Sequence, residues 1–291
     1  MQQTVEGMRL KIPLMYGVGF QNLAIEPHAR PLARAVQAVF DYTDGGVIDI
    51  GCNIGHFMEL CVLADRRRPY FGFDPSLACS FYVQRFIQDN QLPCHYVFPI
   101  GLGQRPTVAE LQSNGPFDVC ASFSREAHFP GRFEHKTLMW IERGDHMIPE
   151  LPLERIALIK IDVEGLELEV LRGLERTISE RRPFVIFEVL HYATLGKQPE
   201  TGAGRDPAVL QAVADCRREQ AIKLGQYFHS HDYRLFKLRR SGDLTAVDDL
   251  DPRDASDPVE MDHLAVPREH AQAFLELHAS RRLPMPTRKA A

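Results

Sequence analysis

The sequence predicts an α/β protein built on a seven-stranded, mostly parallel sheet with helices on both faces. Three observations carry that expectation. The strand expected over 156–162 opens on Ile156-Ala157-Leu158-Ile159, apolar without alternation, the pattern of a parallel strand buried on both sides. It ends on Asp162-Val163-Glu164-Gly165, after which Val170, Leu171, Leu174 and Ile178 repeat at the spacing of one helix face. Two further apolar runs, 46–50 and 70–73, also carry acids near their ends, Asp49 within the first and Asp74 just after the second, and each gives way to a helical pattern.

The elements follow in order. Residues 28–42 read as a helix with Leu32, Val36, Val39 and Phe40 on one side. Strand 46–50 leads to helix 54–65, with Ile54, Phe57, Leu60, Cys61 and Ala64 inward, and strand 70–73 leads to helix 76–90. A third strand, about 94–100, ends at Gly101-Leu102-Gly103, a small-residue turn against which an adenine could lie. Residues 104–150 are irregular and rich in His, Phe, Gly and Pro, an insertion before the fourth strand. Within it His128, Phe129, Phe133, His135 and Trp140 are candidates for the wall of an acceptor pocket. Strand 156–162 and helix 166–178 come next, then strand 184–189, from whose end Glu188 and His191 emerge. A Gly/Pro/Thr loop (197–206), a helix (207–228), a strand (233–238), an acidic loop (248–257), a strand (262–267) and a helix (268–281) complete the chain. The expected organisation is an amino-terminal segment, 1–44, packed on one domain, 45–283, with a disordered tail, 284–291.

Open α/β sheets bind ligands beyond the carboxyl ends of their strands. The turn Asp49-Ile50-Gly51-Cys52-Asn53-Ile54-Gly55-His56-Phe57 lies at such an end. It differs from a Gly-x-Gly-x-x-Gly fingerprint in opening on an acid, which repels a diphosphate and suits a cationic ligand. S-adenosylmethionine, with a sulfonium and an α-ammonium, is such a ligand. Gly51 and Gly55 allow close backbone approach, and Asn53 tolerates a left-handed position. Asp74 follows the turn at the spacing of a ribose-binding acid, with Pro75 after it. The plainer alternative is structural: Asp74 capping a helix before Pro75, Glu164 capping the helix after it, and Asp162 accepting backbone N–H bonds.

With these residues in view, the chain resembles the FkbM family of methyltransferases. Residues 160–173, KIDVEGLELEVLRG, match every fixed position of the family hallmark Lys-Ile-Asp-Val-Glu-Gly-x-Glu-x-x-Val-Leu-x-Gly. Asp49, Gly51, Asn53 and Gly55 are similar to its Asp-x-Gly-x-Asn-x-Gly turn. Cys52 replaces a common alanine, and Asp74 stands where glutamate is usual. The likeness covers about 45–190 and fades over 104–150, before 40 and after 195. It implies a class I methyltransferase (Rossmann-like) fold and O-methylation of a hydroxylated small molecule, often a sugar or secondary metabolite.

On this basis the cofactor is expected at Asp49, Gly51, Asn53, Gly55, Phe57, Asp74, Pro75, Gly101, Asp162 and Glu164. A poor hydroxyl nucleophile needs a base within reach, and Asp162, then Glu188 and His191, are the candidates for catalysis. No resident metal is expected, although Asp162 and Glu188 are ligands of the type that suits a hard cation. Rivals are an NAD-dependent oxidoreductase, disfavoured by the acid at 49, and a non-catalytic cofactor-binding protein.

The bulk properties agree with an ordinary globule, at 291 residues, 44% hydrophobic and 25% charged. A net charge of -5 argues against a nucleic-acid surface. Asp162-Val163-Glu164-Gly165 also lacks the Asn/Asp-Pro-Pro-aromatic turn that grips a flipped base. Six cysteines without a Cys-x-x-Cys pair read as reduced thiols. No stretch reads as a signal peptide or a membrane span, so a cytoplasmic setting is expected, and a homo-oligomer is compatible with the composition.

Overall fold

The computed structural model describes residues 2–5, 8–15, 29–118, 120–124, 126–191, 206–253 and 260–280. An amino-terminal hairpin, β1 (Gln2–Val5) and β2 (Met8–Lys11), precedes α1 (Ala29–Tyr42), β3 (Gly46–Ile50), α2 (His56–Asp65), β4 (Tyr70–Phe73), α3 (Leu77–Asp89) and β5 (His95–Phe98). The middle of the chain forms β6 (Gly101–Gly103), β7 (Thr107–Ser113), β8 (His135–Arg143) and a short α4 (Gly144–Met147). Then come β9 (Ile156–Ile161), α5 (Glu167–Gly173), α6 (Glu175–Arg181), β10 (Phe184–Glu188), α7 (Pro207–Ser230), β11 (Tyr233–Leu238), β12 (Leu244–Val247), β13 (Asp262–Pro267) and α8 (Arg268–Ser280).

The main sheet runs β12-β11-β13-β10-β9-β3-β4-β5. β5, β4, β3, β9 and β10 pair in parallel, whereas β13 lies antiparallel to both β10 and β11. All seven expected strands are present, in the order three-two-one-four-five-seven-six. The eighth, β12, adds to the outer edge of β11. At four residues with no fully buried position it was too short to stand out as a strand.

Alternation along the buried strands divides the core in two. Val47, Leu158, Ile186 and Leu264 face a layer from α1, α2, α3 and α8, through residues such as Val36, Met58, Phe86 and Phe274. Ile48, Ile50, Ile159, Ile161, Val185 and Phe187 face the other layer, from α5, α6 and α7, through Leu171, Ile178, Leu224 and Phe228. Each apolar strand is therefore covered on both sides, as its continuous pattern required.

Three expectations are corrected. The helix expected over 166–178 breaks at Leu174, which leaves helical geometry (φ -107°, ψ 15°) between α5 and α6. Gly101-Leu102-Gly103 is a strand, β6, paired in parallel with β8, and no turn. The stretch 104–150 is also more regular than its composition indicated, because β8 pairs with β6 on one side and β7 on the other. Pairing between distant segments made this sheet; local periodicity did not announce it. The tail 284–291 and most of the loop 197–206 lie outside the described residues.

Candidate active site

Parallel pairing places the ends of β3, β4, β9 and β10 at one edge of the sheet, and antiparallel β13 brings its first residue, Asp262, opposite Glu188. The loops there are tied together: Gly51 N donates to Phe73 O (2.8 Å) and Asp162 N to Ile50 O (3.0 Å). Over this edge lies a cavity of about 1080 Å³. Ten of the twelve expected site residues line it: Asp49, Gly51, Asn53, Phe57, Asp74, Pro75, Gly101, Asp162, Glu164 and Glu188.

Gly55 and His191 do not. Gly55 sits at the start of α2 with φ 84°, so its part is to turn the chain. His191 is 2% exposed and away from the cavity, its carbonyl accepting from Arg217 Nη1 at 2.7 Å. It follows β10 by three residues, and the chain has turned inward by then. Of the five candidates in the insertion only His135 lines the cavity; Phe129 is core and Trp140 faces solvent.

The β3 turn is compressed. Gly51 has φ 83°, and a Cβ there would stand 1.8 Å from Asp162 O, so no other residue fits. Asn53 takes the left-handed position expected of it, with φ 44°, and its Oδ1 accepts from Ile54 N at 2.8 Å. Asp49 accepts from Tyr70 Oη at 2.5 Å. Burial raises its pKa to about 7 against the opposing effects of that bond and of Lys160.

Asp74 accepts from Asn53 N and Ser76 N, both at 2.8 Å, one at each oxygen. It thus joins the β3 and β4 turns. Burial lifts its pKa to about 6 despite these bonds. It does not cap α3: Ser76 does, accepting from Cys79 N, and Pro75 precedes the cap.

The hallmark turn divides its tasks differently from the structural alternative. Glu167, 3% exposed, accepts from Val163 N (3.3 Å) and Gly165 N (3.1 Å), so it satisfies the backbone donors. Asp162 instead accepts from Lys160 Nζ at 2.8 Å. Glu164 caps nothing and sits at φ 55°, strained for a residue with a side chain. Two residues of the insertion fix its carbonyl: Ser122 Oγ donates at 2.9 Å and His128 Nε2 at 3.1 Å. Arg132 donates to His128 Nδ1 at 2.6 Å, so His128 is neutral, with its proton on Nε2. Burial holds its pKa near 4.

Sequence reasoning missed Lys160 and Asp262. Lys160 is 3% exposed inside β9, and its ammonium lies between Asp162 and, at 3.8 Å, Asp262. Burial opposes its charge, but the surrounding carboxylates outweigh that and raise its pKa. A charged residue inside an otherwise apolar strand was the available signal. Glu164 and Glu188 are both pushed well up, first by burial and then by neighbouring acids.

The FkbM methyltransferase domain matches residues 49–235, more than half of the chain. The chain belongs to this family. Among curated proteins, it is 26% identical over 141 residues to the hexuronic acid methyltransferase AglP of Haloferax volcanii, covering 48% of this chain and 54% of that protein. It is 25% identical over 147 residues to Methyltransferase 1 of Beauveria bassiana, covering 45% and 59%. The chain thus spans little more than half the length of the curated relatives it matches. A solved structure of an FkbM methyltransferase from Methylobacillus flagellatus KT aligns with a TM-score of 0.44 at 17% identity, over 76% of this chain and 43% of that one. The family hallmark coincides with the turn and helix that carry Lys160, Asp162, Glu164 and Glu167, and its last glycine, Gly173, packs on Gly103 of β6. Among the described residues no helix is long and apolar enough to cross a membrane.

Proposed function

We propose that the chain is an S-adenosylmethionine-dependent O-methyltransferase acting on a hydroxylated small molecule such as a sugar or secondary metabolite. The observation that carries this reading is the convergence of Asp49, Asp74 and Asp162, from three strand ends, on one cavity beside a glycine that a Cβ would exclude. Family membership supports it, and the relative described as a hexuronic acid methyltransferase favours a sugar-like acceptor.

The residues fit the cofactor. Asp74 holds two backbone donors and keeps lone pairs for a ribose diol, one carboxylate offering about four acceptor positions. Gly51 lets the β3 turn pack directly on the Asp162 backbone and also lines the cavity, as does Phe57. Bound there, S-adenosylmethionine supplies an activated methyl group on a positively charged sulfur. The acidic wall formed by Asp49, Asp162 and Glu164 suits that charge.

The protein's task is then to orient an acceptor, exclude water and take a proton. The acceptor oxygen gains the methyl as the carbon–sulfur bond breaks, and the hydroxyl proton passes to a carboxylate. Asp162 is already engaged by the Lys160 ammonium, which donates to one of its oxygens at 2.8 Å. Glu164, whose pKa burial raises to about 8, is matched to that work near neutral pH, and burial raises Glu188 as well. The opposite wall comes from β7 and β8, through Leu111, Ser113, His135, Thr137 and Met139.

Calorimetric titration with S-adenosylhomocysteine tests the cofactor site, and absence of binding at millimolar ligand removes the proposal. Transfer of tritiated methyl to hydroxylated metabolites and sugars tests the reaction; label found only on nitrogen acceptors would overturn O-methylation.

A further inference from the structure

Three carboxylates meet where β9 and β10 end. One oxygen from each of Asp162, Glu164 and Glu188 lies within 4.8 Å of the others. Acidic clusters are common without an ion, but Glu188 sets this one apart. It is 8% exposed, it lines the cavity, and its Oε2 is buried with no hydrogen-bond partner among the described residues. An oxygen removed from water and left without a donor is strongly disfavoured. The neighbouring cations leave that Glu188 oxygen unpaired. Lys160 bridges Asp162 and Asp262, Arg132 donates to His128, and Arg217 donates to the carbonyls of Ala127 and His191. His128, 3.8 Å from a Glu164 oxygen, is neutral and adds no charge.

We propose that Asp162, Glu164 and Glu188 bind a divalent, oxygen-preferring cation at the carboxyl end of β9 and β10. The spacing fits: oxygens on opposite sides of a cation that holds each at roughly 2.3–2.6 Å are about 4.6–5.2 Å apart, and adjacent ones are closer. Carboxylates without nitrogen or sulfur partners select magnesium, manganese or calcium over softer metals. Three protein ligands leave coordination positions that face the cavity. An acceptor with two neighbouring oxygens, a vicinal diol or an α-hydroxy acid, completes that shell. This use of the ion rests on the methyl-transfer reading, whereas the ion site rests on the geometry alone.

The test is titration of the full chain with Mn²⁺, followed by the electron paramagnetic resonance signal of the free ion, with and without S-adenosylhomocysteine. Glu188→Gln and Glu164→Gln probe the ligands, and Asp74→Asn is the control on the cofactor side. The expected result is a single equivalent bound by the native chain, competed by Ca²⁺ or Mg²⁺, weakened about tenfold or more in both Gln variants and unchanged in Asp74→Asn. Mn²⁺ should also raise the melting temperature of the native chain but not of the Gln variants. No uptake by the native chain at millimolar Mn²⁺, or equal uptake by both Gln variants, overturns the site. Binding of S-adenosylhomocysteine without Mn²⁺ uptake removes the ion and leaves the methyl-transfer reading; Mn²⁺ uptake without S-adenosylhomocysteine binding does the reverse.

Discussion

Lys160 is the residue on which the acidic edge depends for stability. Its ammonium is enclosed by Asp162 and Asp262, with Asp49 adding to the attraction. Lys160→Met therefore leaves several acids uncompensated. We expect a loss of about 2–3 kcal/mol in denaturant unfolding, less than for a fully buried pair because Asp162 is partly solvated. Adding Asp262→Asn should recover part of that loss. If Lys160→Met unfolds like the native chain, the pair is not stabilising. Asp74 gives a second prediction. With a pKa near 6, raised by burial, it is ionised above that pH and protonated below it. If its carboxylate accepts from the cofactor ribose, affinity for S-adenosylhomocysteine should fall below pH 6, approaching about tenfold per unit. Asp74→Asn should flatten that dependence. At this scale much was legible in the sequence: Asp49, Asp74 and Asp162 were visible as acids at or near the ends of apolar runs, and they line one cavity. The roles within the hallmark were not legible, because KIDVEGLE does not say which carboxylate takes the backbone donors and which takes the lysine. Only the turn geometry, with Glu167 folded back and Glu164 at positive φ, assigns them.

At the scale of elements, the helix after the hallmark and the small sheet of the insertion are packed backbone to backbone. A Cβ on Gly173 would stand 2.0 Å from Gly103 O. Gly173→Ala must push β6 away from α5, and through β6 it must displace β8, its partner. We expect marked destabilisation and a loss of acceptor turnover larger than the loss of S-adenosylhomocysteine affinity, since β8 lines the cavity wall proposed for the acceptor. Equal losses of both would argue for general unfolding instead. The parallel strands were readable because burial on both faces leaves an unbroken apolar run. β7 and β8 were not, since their exposed residues mix Val108, Leu138 and Trp140 with charges and so blur the alternation.

At the scale of the whole molecule, buried acid gathered at one sheet edge gives stability an unusual pH dependence. Burial raises Asp49 and Glu167 to about 7 and Asp74 and Asp262 to about 6, above their unfolded values. The folded chain then holds more protons than the unfolded chain near neutrality, so stability falls as pH rises. Buried His95 and His128, lowered to about 4, act in the opposite sense only below the ordinary histidine value. Between pH 6.5 and 8 the carboxylates dominate. The ligand-free chain should lose on the order of 2 kcal/mol over that interval, read as a falling melting temperature. A flat profile would mean that these acids are solvated in the free protein.

Strand β8 serves two environments at once. His135, Thr137 and Met139 line the cavity, while Leu138 and Trp140 lie open to water and Lys136 pairs with Glu110 on the neighbouring strand. Selectivity can therefore be retuned at every second position without altering the outer surface. Deleting one residue early in this ribbon would exchange the two sets, turning tryptophan and leucine toward the acceptor and histidine and threonine toward bulk solvent.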